Sequence, residues 1–150
     1  MGNILNQDFV DFLTALNASD VEYIIVGGYA VIYHGYNRTT GDLDIWIKPS
    51  HENYNKLLRA FGVFGMSSFD MTEEKFLNQV NYDVFTFGRP PVSIDILTNV
   101  KGLDFNNSFA NSSLTEFDKV QVRMIDIHDL LTSKKASNRP KDMDDLNHLE

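Results

Sequence analysis

The sequence contains no cysteine. This absence excludes disulfide bonds and thiolate metal sites, and it makes the cytoplasm the expected compartment. The sequence also has no run that approaches the roughly 20 apolar residues needed to span a bilayer. Its N-terminus does not combine a basic stretch with an apolar run, as a signal peptide does. We therefore expect neither secretion nor a membrane partner.

Basic residues are scarce as well: 13 Lys and Arg face 21 Asp and Glu, which gives a net charge of -8. A chain with this balance lacks the electrostatic footprint of non-specific DNA binding. Local basic patches remain compatible with a phosphate or an RNA ligand. The length of 150 residues and the 43% hydrophobic content predict one compact domain over residues 1–150 that ends in C-terminal helices.

The chain is organised around the stretch Val26–Ile47, which reads as strand end, double glycine, short apolar helix, polar loop and second strand. The first strand, Val21–Val26, is almost continuously apolar, as expected of a strand covered on both faces. Gly27 and Gly28 end it. This pair fits either a tight turn or a phosphate site made by backbone N–H groups and the following helix. The dinucleotide fingerprint G-x-G-x-x-G is absent.

Three carboxylates stand on the predicted strands. Asp42 and Asp44 lie at i and i+2 on the strand Asp42–Ile47, so their side chains point to the same face. They repel each other at neutral pH, and a divalent metal ion is the most economical reason to keep them together. Asp95 is the single acid of the strand Val92–Thr98 and needs a partner if it is buried. Pairing of the two strands would complete a cluster of three acids.

Three further polar residues have open interpretations. His34 ends the short helix, where a structural role is more common than a catalytic one. Arg38, in the loop 37–41, fits either a phosphate contact or a counter-charge for the carboxylates. Lys134 continues the apolar stripe of the helix that Asp126 caps. It either extends its ammonium group to solvent or reaches into a site.

The remaining segments complete the secondary-structure prediction. Helical spacing of apolar residues predicts the helices, and alternation predicts the strands. The predicted helices lie within 1–20, after Ser50, from Thr72, after Asp126 and over Lys141–Leu149. The further predicted strands are Tyr82–Phe87 and Val120–Ile125. A turn is predicted over 88–91, and residues 62–70 and 99–118 are predicted to be mainly loop.

Three acids on neighbouring strands beside a glycine turn predict a site for two Mg²⁺ ions. Mg²⁺ prefers oxygen ligands and typically binds carboxylates together with substrate phosphates. Two such ions stabilise the attacking and the leaving oxygen of a displacement at phosphorus. Asp-x-Asp alone is weak evidence, since Asp142-Met143-Asp144 repeats it on a predicted helix. The specificity lies in the combination of strand, double glycine, helix, acidic strand and later acid.

This combination resembles the nucleotidyltransferase superfamily, with its polymerase-beta-like fold. The first motif corresponds to Val26-Gly27-Gly28, thirteen intervening residues and Asp42-Leu43-Asp44, and the third acid to Asp95 in S-I-D-I-L. The stretch Val26–Ile47 and the ending D-L-L-T-S-K-K-A-S-N-R-P-K-D-M-D-D-L look like bacterial stand-alone nucleotidyltransferases related to abortive-infection toxins. The resemblance covers about Val21–Leu146 and is weakest at 62–80 and 99–118. It implies an α+β fold, a small mixed sheet with helices packed on one face.

The resemblance also implies roles for individual residues. Gly27 and Gly28 would cradle a nucleotide triphosphate. Asp42 and Asp44 would bind metal, while Asp95 would complete the metal site and act as general base. The other nucleotide-binding positions would be Arg38 and Thr40 in the polar loop and Lys134 before R-P-K-D. Many family members carry Ser where this chain has Gly28, although the narrower group tolerates Gly.

The implied function is Mg²⁺-dependent transfer of a nucleoside monophosphate from an NTP, such as ATP, to a hydroxyl group of a protein, a tRNA end or a small molecule. A toxin-antitoxin setting with a cognate protein partner, or antibiotic resistance, is the implied context. The acidic surface disfavours a long nucleic-acid acceptor.

Two other classes of function compete with this reading. A non-catalytic nucleotide- or metal-binding module of the same fold is the first, and retention of all three acids argues against it. The second is a structural protein whose acids bind Ca²⁺ or cap local hydrogen bonds. The placement of the acids on strands argues against an EF-hand, whose ligands lie in a loop.

Overall fold

The computed structural model describes residues 5–89 and 92–150, in which seven helices flank a six-stranded mixed sheet. The elements are α1 (Gln7–Ala18), β1 (Tyr23–Val26), α2 (Gly27–Tyr33), β2 (Asp42–Ile47), α3 (His51–Phe64), α4 (Glu73–Leu77), β3 (Val84–Arg89), β4 (Val92–Leu97), α5 (Phe105–Asn111), β5 (Ser113–Phe117), β6 (Val120–Met124), α6 (Ile127–Ser137) and α7 (Pro140–Leu149).

The strand order is β3-β4-β2-β1-β6-β5. β2 runs parallel to β4 and β1 runs parallel to β6, whereas the other three neighbouring pairs are antiparallel. The prediction of a small mixed sheet in an α+β fold is confirmed. The parallel pair β2 and β4 carries the three predicted acids.

Helices α1 and α3 cover one face of the sheet. The predicted apolar stripe of α1 is buried, and its Phe12 ring lies 5.7 Å from the ring of Phe61 in α3. Phe61 in turn contacts Phe87 of β3 edge to face at 5.1 Å. Phe87 pairs with Ile94, which pairs with Leu43, so this face forms the apolar core of the molecule.

The opposite face of β2 presents Asp42, Asp44 and Trp46. The Trp46 indole is buried against Phe105 of α5, with ring centroids 5.2 Å apart in an edge-to-face arrangement. The sheet therefore carries a helix on this face too, in addition to the layer of α1 and α3. The two acids lie toward the start of β2, beyond this aromatic contact.

The segment 99–118 differs from its prediction as mainly loop. It contains the helix α5 and the strand β5, which pairs antiparallel with β6. Only Phe117 of β5 is buried, because β5 is an edge strand with mostly exposed side chains. An edge strand of Ser, Thr and Glu leaves little alternation for sequence reasoning to detect.

Smaller differences occur at element ends. Helix α3 continues three residues into the predicted loop 62–70 and stops at Gly65, whose φ of +87° is the left-handed conformation that commonly ends helices. The predicted turn over 88–91 lies partly outside the described residues, since it includes Pro90 and Pro91. None of the helices in the described part of the chain has the length and apolar character that crossing a membrane requires.

Candidate active site

Strand pairing brings the three predicted acids together. In the parallel pair of β2 and β4, Asp44 lies opposite Asp95 and Asp42 lies opposite Ser93. All four side chains share one face, since alternate residues of a strand point the same way. The cluster thus follows from the register of two strands that are far apart in sequence.

Two hydroxyl groups orient Asp42 and Asp95. Ser93 donates to Asp42 Oδ1 at 2.6 Å, and Thr86 of β3 donates to Asp95 Oδ1 at 2.8 Å. As placed within residues 5–89 and 92–150, no three His, Cys, Asp or Glu side chains converge on a common metal position. Mg²⁺ typically binds one or two carboxylates together with substrate phosphates. The oxygen-only donor set of carboxylates and hydroxyls fits such a hard cation.

Among the three acids, Asp44 is the one whose pKa is clearly shifted. Burial raises its pKa to about 7, aided by repulsion from Asp95, a hydrogen bond to Asp95 and the charge of Asp42, while Lys141 opposes the shift. A carboxyl group with this pKa stays protonated at pH values well above those at which an ordinary aspartate ionises. A bound cation would relieve the repulsion that raises the pKa.

The double glycine allows two side chains to approach the backbone. Gly27 has a φ of +70°, and a Cβ atom on it would lie 2.0 Å from Asp44 Oδ2. A Cβ atom on Gly28 would lie 2.4 Å from Thr40 Oγ1. Both distances are far below van der Waals contact. The glycines are thus required by Asp44 and Thr40, which connects the turn directly to the acidic strand.

Gly27→Ala is expected to lower the free energy of unfolding by about 1–3 kcal/mol, because it combines left-handed backbone strain with a clash at Asp44. Urea unfolding measures the change. Gly62→Ala is the matched control, since nothing lies within 4 Å of a Cβ atom at this helical position. That change should stabilise the protein by about 0.5–1 kcal/mol. Equal effects at both positions would contradict the close approach.

A cavity of about 510 Å³ lies over the acids. Its floor is the acidic face of the sheet with Gly27, and its opposite wall is the face of α6 that carries Leu130, Ser133 and Lys134. The exposed cations at its edge are Lys101, Arg139 and Lys141. This volume suits a small ligand. The carboxylates on its floor and the cations at its edge suit a metal-bound, negatively charged ligand.

The structure places Lys134 in a buried ionic cluster. Its Nζ lies 3.1 Å from Asp145 Oδ2 and 3.3 Å from Asp142 Oδ1, and its side chain is 7% exposed. Both acids belong to α7 and are themselves buried. The ammonium group therefore does not extend to solvent. It lines the cavity while two carboxylates hold it.

Arg38 belongs to the same cluster. Its guanidinium donates from Nη2 to Asp145 Oδ2 at 3.2 Å, and its Nε lies 2.9 Å from Asp145 Oδ1. The sequence left open whether Arg38 contacts a phosphate or acts as a counter-charge. In the structure it acts as a counter-charge, but its partner is Asp145 and not the acids of β2. The contact ties the loop before β2 to α7.

Arg139 is a cavity residue that sequence reasoning did not single out. Burial acts to raise the pKa of Asp142, but hydrogen bonds from Arg139 and the charge of Lys134 outweigh it and lower that pKa. The Arg139 Nε donates to Asp142 at 2.8 Å, yet its side chain remains 58% exposed. The motif R-P-K-D was the sequence feature that could have indicated Arg139. Only the packing of α7 shows that Arg139 and Lys141 line the same cavity as the acids of β2 and β4.

His34 has the structural role that the sequence favoured. Its Nε2 lies 2.7 Å from the carbonyl oxygen of Ile125, the residue that follows β6. This contact joins the end of α2 to the segment that precedes α6. It leaves His34 outside the group of residues that line the cavity.

Residues 6–150 match the model of a family described as "Nucleotidyl transferase of unknown function (DUF2204)". The chain belongs to this family. It is a nucleotidyltransferase, which confirms the superfamily assignment made from the glycine turn and the acids. Transfer of a nucleoside monophosphate is thus its general activity, and a nucleotide is its substrate.

Among solved structures, this nucleotidyltransferase is similar to the lincosamide antibiotic adenylyltransferase LnuA in its lincomycin-bound crystal structure. The TM-score is 0.56 at 15% sequence identity, over 99% of this chain and 98% of that chain. At this identity the similarity shows the fold, and it does so over both chains almost completely. No curated protein sequence matches the chain.

Proposed function

We propose that this nucleotidyltransferase moves a nucleoside monophosphate from an NTP, with ATP as the expected donor, to a hydroxyl group of a small molecule in a Mg²⁺-dependent reaction. The observation that carries the proposal is the pairing of Asp44 with Asp95 in the sheet, next to Asp42 and above Gly27, on the floor of a cavity edged by cations. This arrangement suits phosphoryl chemistry, in which the protein mainly supplies position and charge.

Asp42, Asp44 and Asp95 would hold the Mg²⁺ ions. When bound, these ions neutralise charge that develops on the attacking and leaving oxygens. Asp95 accepts the proton of the acceptor hydroxyl, since it is the acid nearest the open edge of the sheet. The hydroxyl of Thr86 fixes the orientation of that carboxylate through its 2.8 Å hydrogen bond.

The cations at the cavity edge serve the triphosphate. Arg139 and Lys141 are exposed toward the cavity, and Lys134 lies in its wall. Gly27 and Gly28 let the chain turn close beneath the nucleotide, as the resemblance implies. Thr40 and Arg38 act indirectly, Thr40 by packing on Gly28 and Arg38 by anchoring the loop before β2 to α7.

A small-molecule acceptor is supported by two observations. The neighbouring fold belongs to an enzyme that acts on a lincosamide antibiotic. The net charge of -8 disfavours a long nucleic-acid acceptor. A toxin-antitoxin role with a cognate protein partner stays a prediction of the resemblance.

Incubation with each α-labelled NTP and Mg²⁺, with and without cell extract, tests the proposal. Wild type should transfer label, and Asp95→Asn should reduce the rate by at least about 10²-fold because a charge at the reacting centre is lost. Asp20→Asn is the matched control, since Asp20 has a φ of +58°, which Asn tolerates, and lies before β1 at its other end. Nucleotide binding without transfer would favour the non-catalytic module, and equal rates in all variants would refute the assigned site.

A further inference from the structure

The strand order identifies the side from which an acceptor must approach. The glycine turn follows β1, and α6, with Lys134, contacts α2 on the same side of the sheet. The pyrophosphate part of the NTP, which is the leaving group, is therefore expected to lie toward β1. In phosphoryl transfer the attacking and leaving oxygens are roughly in line. The attacking hydroxyl then comes from the opposite direction, across β4 and the edge strand β3.

A second groove lies on that side, along the outer edge of β3. It has a volume of about 380 Å³, in the range of small-molecule sites. Its lining is mainly aromatic and apolar: Phe69, Met71, Tyr82, Val84, Phe85 and Phe87. Val84 lines both this groove and the cavity over the acids. Thr86, which donates a hydrogen bond to Asp95, also lines the groove, so this one residue connects the groove with the proposed general base.

Exposed apolar side chains line this groove. Nine large hydrophobic side chains are exposed among the described residues, and three of them, Phe69, Tyr82 and Val84, line it. Leu77 and Val80 are also exposed but line a separate cavity. Concentration of exposed apolar surface in one place marks a binding site more often than scattered residues do. This one borders the active-site cavity.

Phe69 has an unusual backbone. Its φ of +49° is left-handed, which is uncommon for a bulky side chain and costs about 1–2 kcal/mol. The residue is nevertheless 72% exposed, and its ring stacks on that of Phe87 at 6.2 Å between centroids, with an angle of 26° between the rings. Burial of Phe69 does not offset this strain. Strained residues of this kind cluster at ligand sites.

The charges in the groove are balanced. Lys75 Nζ lies 3.7 Å from Asp70 and 5.5 Å from the centroid of the Tyr82 ring. These two charged side chains therefore offer a ligand little net charge. The ring faces of Phe69 and Tyr82 offer stacking instead.

We propose that this groove is the acceptor subsite, and that it holds an uncharged ring system that bears the hydroxyl group. The proposal rests on the proposed function and gives it a class of acceptor. The hydroxyl oxygen forms a bond to the α-phosphorus, and its proton passes to Asp95. The bond between the α-phosphorus and the bridging oxygen breaks, and pyrophosphate leaves with that electron pair.

Binding of naphthol, an uncharged aromatic alcohol, tests the groove without any turnover. Saturation-transfer NMR should detect naphthol on wild type. Phe69→Asn should weaken its affinity by about tenfold through loss of the stacking ring, while Asn accepts the left-handed backbone. Phe69→Tyr should retain binding, since it keeps the ring. Val63→Asn is the matched control, because Val63 is 68% exposed on α3 outside the groove. Equal affinity of all four proteins would overturn the proposal.

Transfer assays distinguish failure of the subsite from failure of the proposed function. With the small-molecule fraction of a cell extract, Phe69→Asn should raise the acceptor KM about tenfold and leave the dissociation constant of the NTP unchanged. Unchanged acceptor KM, or label in protein or RNA alone, would refute the subsite while transfer stands. Absence of transfer by wild type, together with ring-dependent naphthol binding, would refute the proposed reaction and keep the groove as a ligand site.

Discussion

Asp145→Ala is expected to lower the free energy of unfolding by about 3–5 kcal/mol, because it leaves buried cations without their shared partner. Asp145 is 1% exposed and contacts both Arg38 and Lys134. Lys134 keeps Asp142, but Arg38 loses its only ion-pair partner among the described residues. The contact between α7 and the loop before β2 should weaken with it.

Urea unfolding measures this loss. Asp144→Ala is the control, since Asp144 is the preceding residue of the same helix but is exposed. Its carboxylate accepts one hydrogen bond, from Tyr36, and lies 3.6 Å from Nδ1 of the exposed His148. It should cost no more than about 1 kcal/mol. The effects of Lys134→Met and Asp145→Asn should be less than additive in the double variant, since the two side chains are in contact. Strict additivity would contradict the cluster.

Asp44→Asn is expected to change activity and stability in opposite directions. Transfer should fall by at least about 10²-fold, because the variant loses a charge at the reacting centre. The cation-free protein should become more stable by about 1–3 kcal/mol near pH 8, because an amide at this position is not repelled by Asp95. Active-site residues commonly show this opposition.

The pH dependence follows from the raised pKa of Asp44. The folded protein retains a proton up to about pH 7, whereas the unfolded chain releases it near the ordinary pKa of 3.8. Between these values the folded state binds more protons, so wild-type stability decreases as pH rises. Asp44→Asn removes this decrease. Thermal unfolding from pH 4 to 8 with chelator measures it, and parallel curves for the two proteins would contradict it.

Mg²⁺ provides a further check on the same pair of proteins. A ligand that binds only the folded state raises its stability. Mg²⁺ should therefore stabilise wild type near pH 8 and stabilise Asp44→Asn much less. Equal stabilisation of the two proteins would place the cation elsewhere.

Local patterns in the sequence were sufficient for most elements and for the acids. The stripe of Phe9, Phe12, Leu13 and Leu16 predicted the buried face of α1, and alternation predicted β2 and β4. These patterns are readable because one face of each element is buried. β5 escaped prediction because only Phe117 on it is buried.

The hydrogen-bond partners of the acids were harder to predict from the sequence. Ser93 shares the face of Asp95 by alternation and was within reach of sequence reasoning. Thr86 was not, because its contact with Asp95 depends on the register between β3 and β4. The same holds for Phe69, whose left-handed backbone has no signal in the surrounding residues.

The sequence by itself determined the glycine turn, the placement of Asp42 and Asp44 on one strand face, and the likeness to nucleotidyltransferases. Spacing along one segment is a local property, so it can be read without the fold. Only the tertiary structure decided that Asp95 lies opposite Asp44 and that Lys134 is held by Asp142 and Asp145. Those contacts join segments far apart in the chain, and their distances are set by strand register and helix packing.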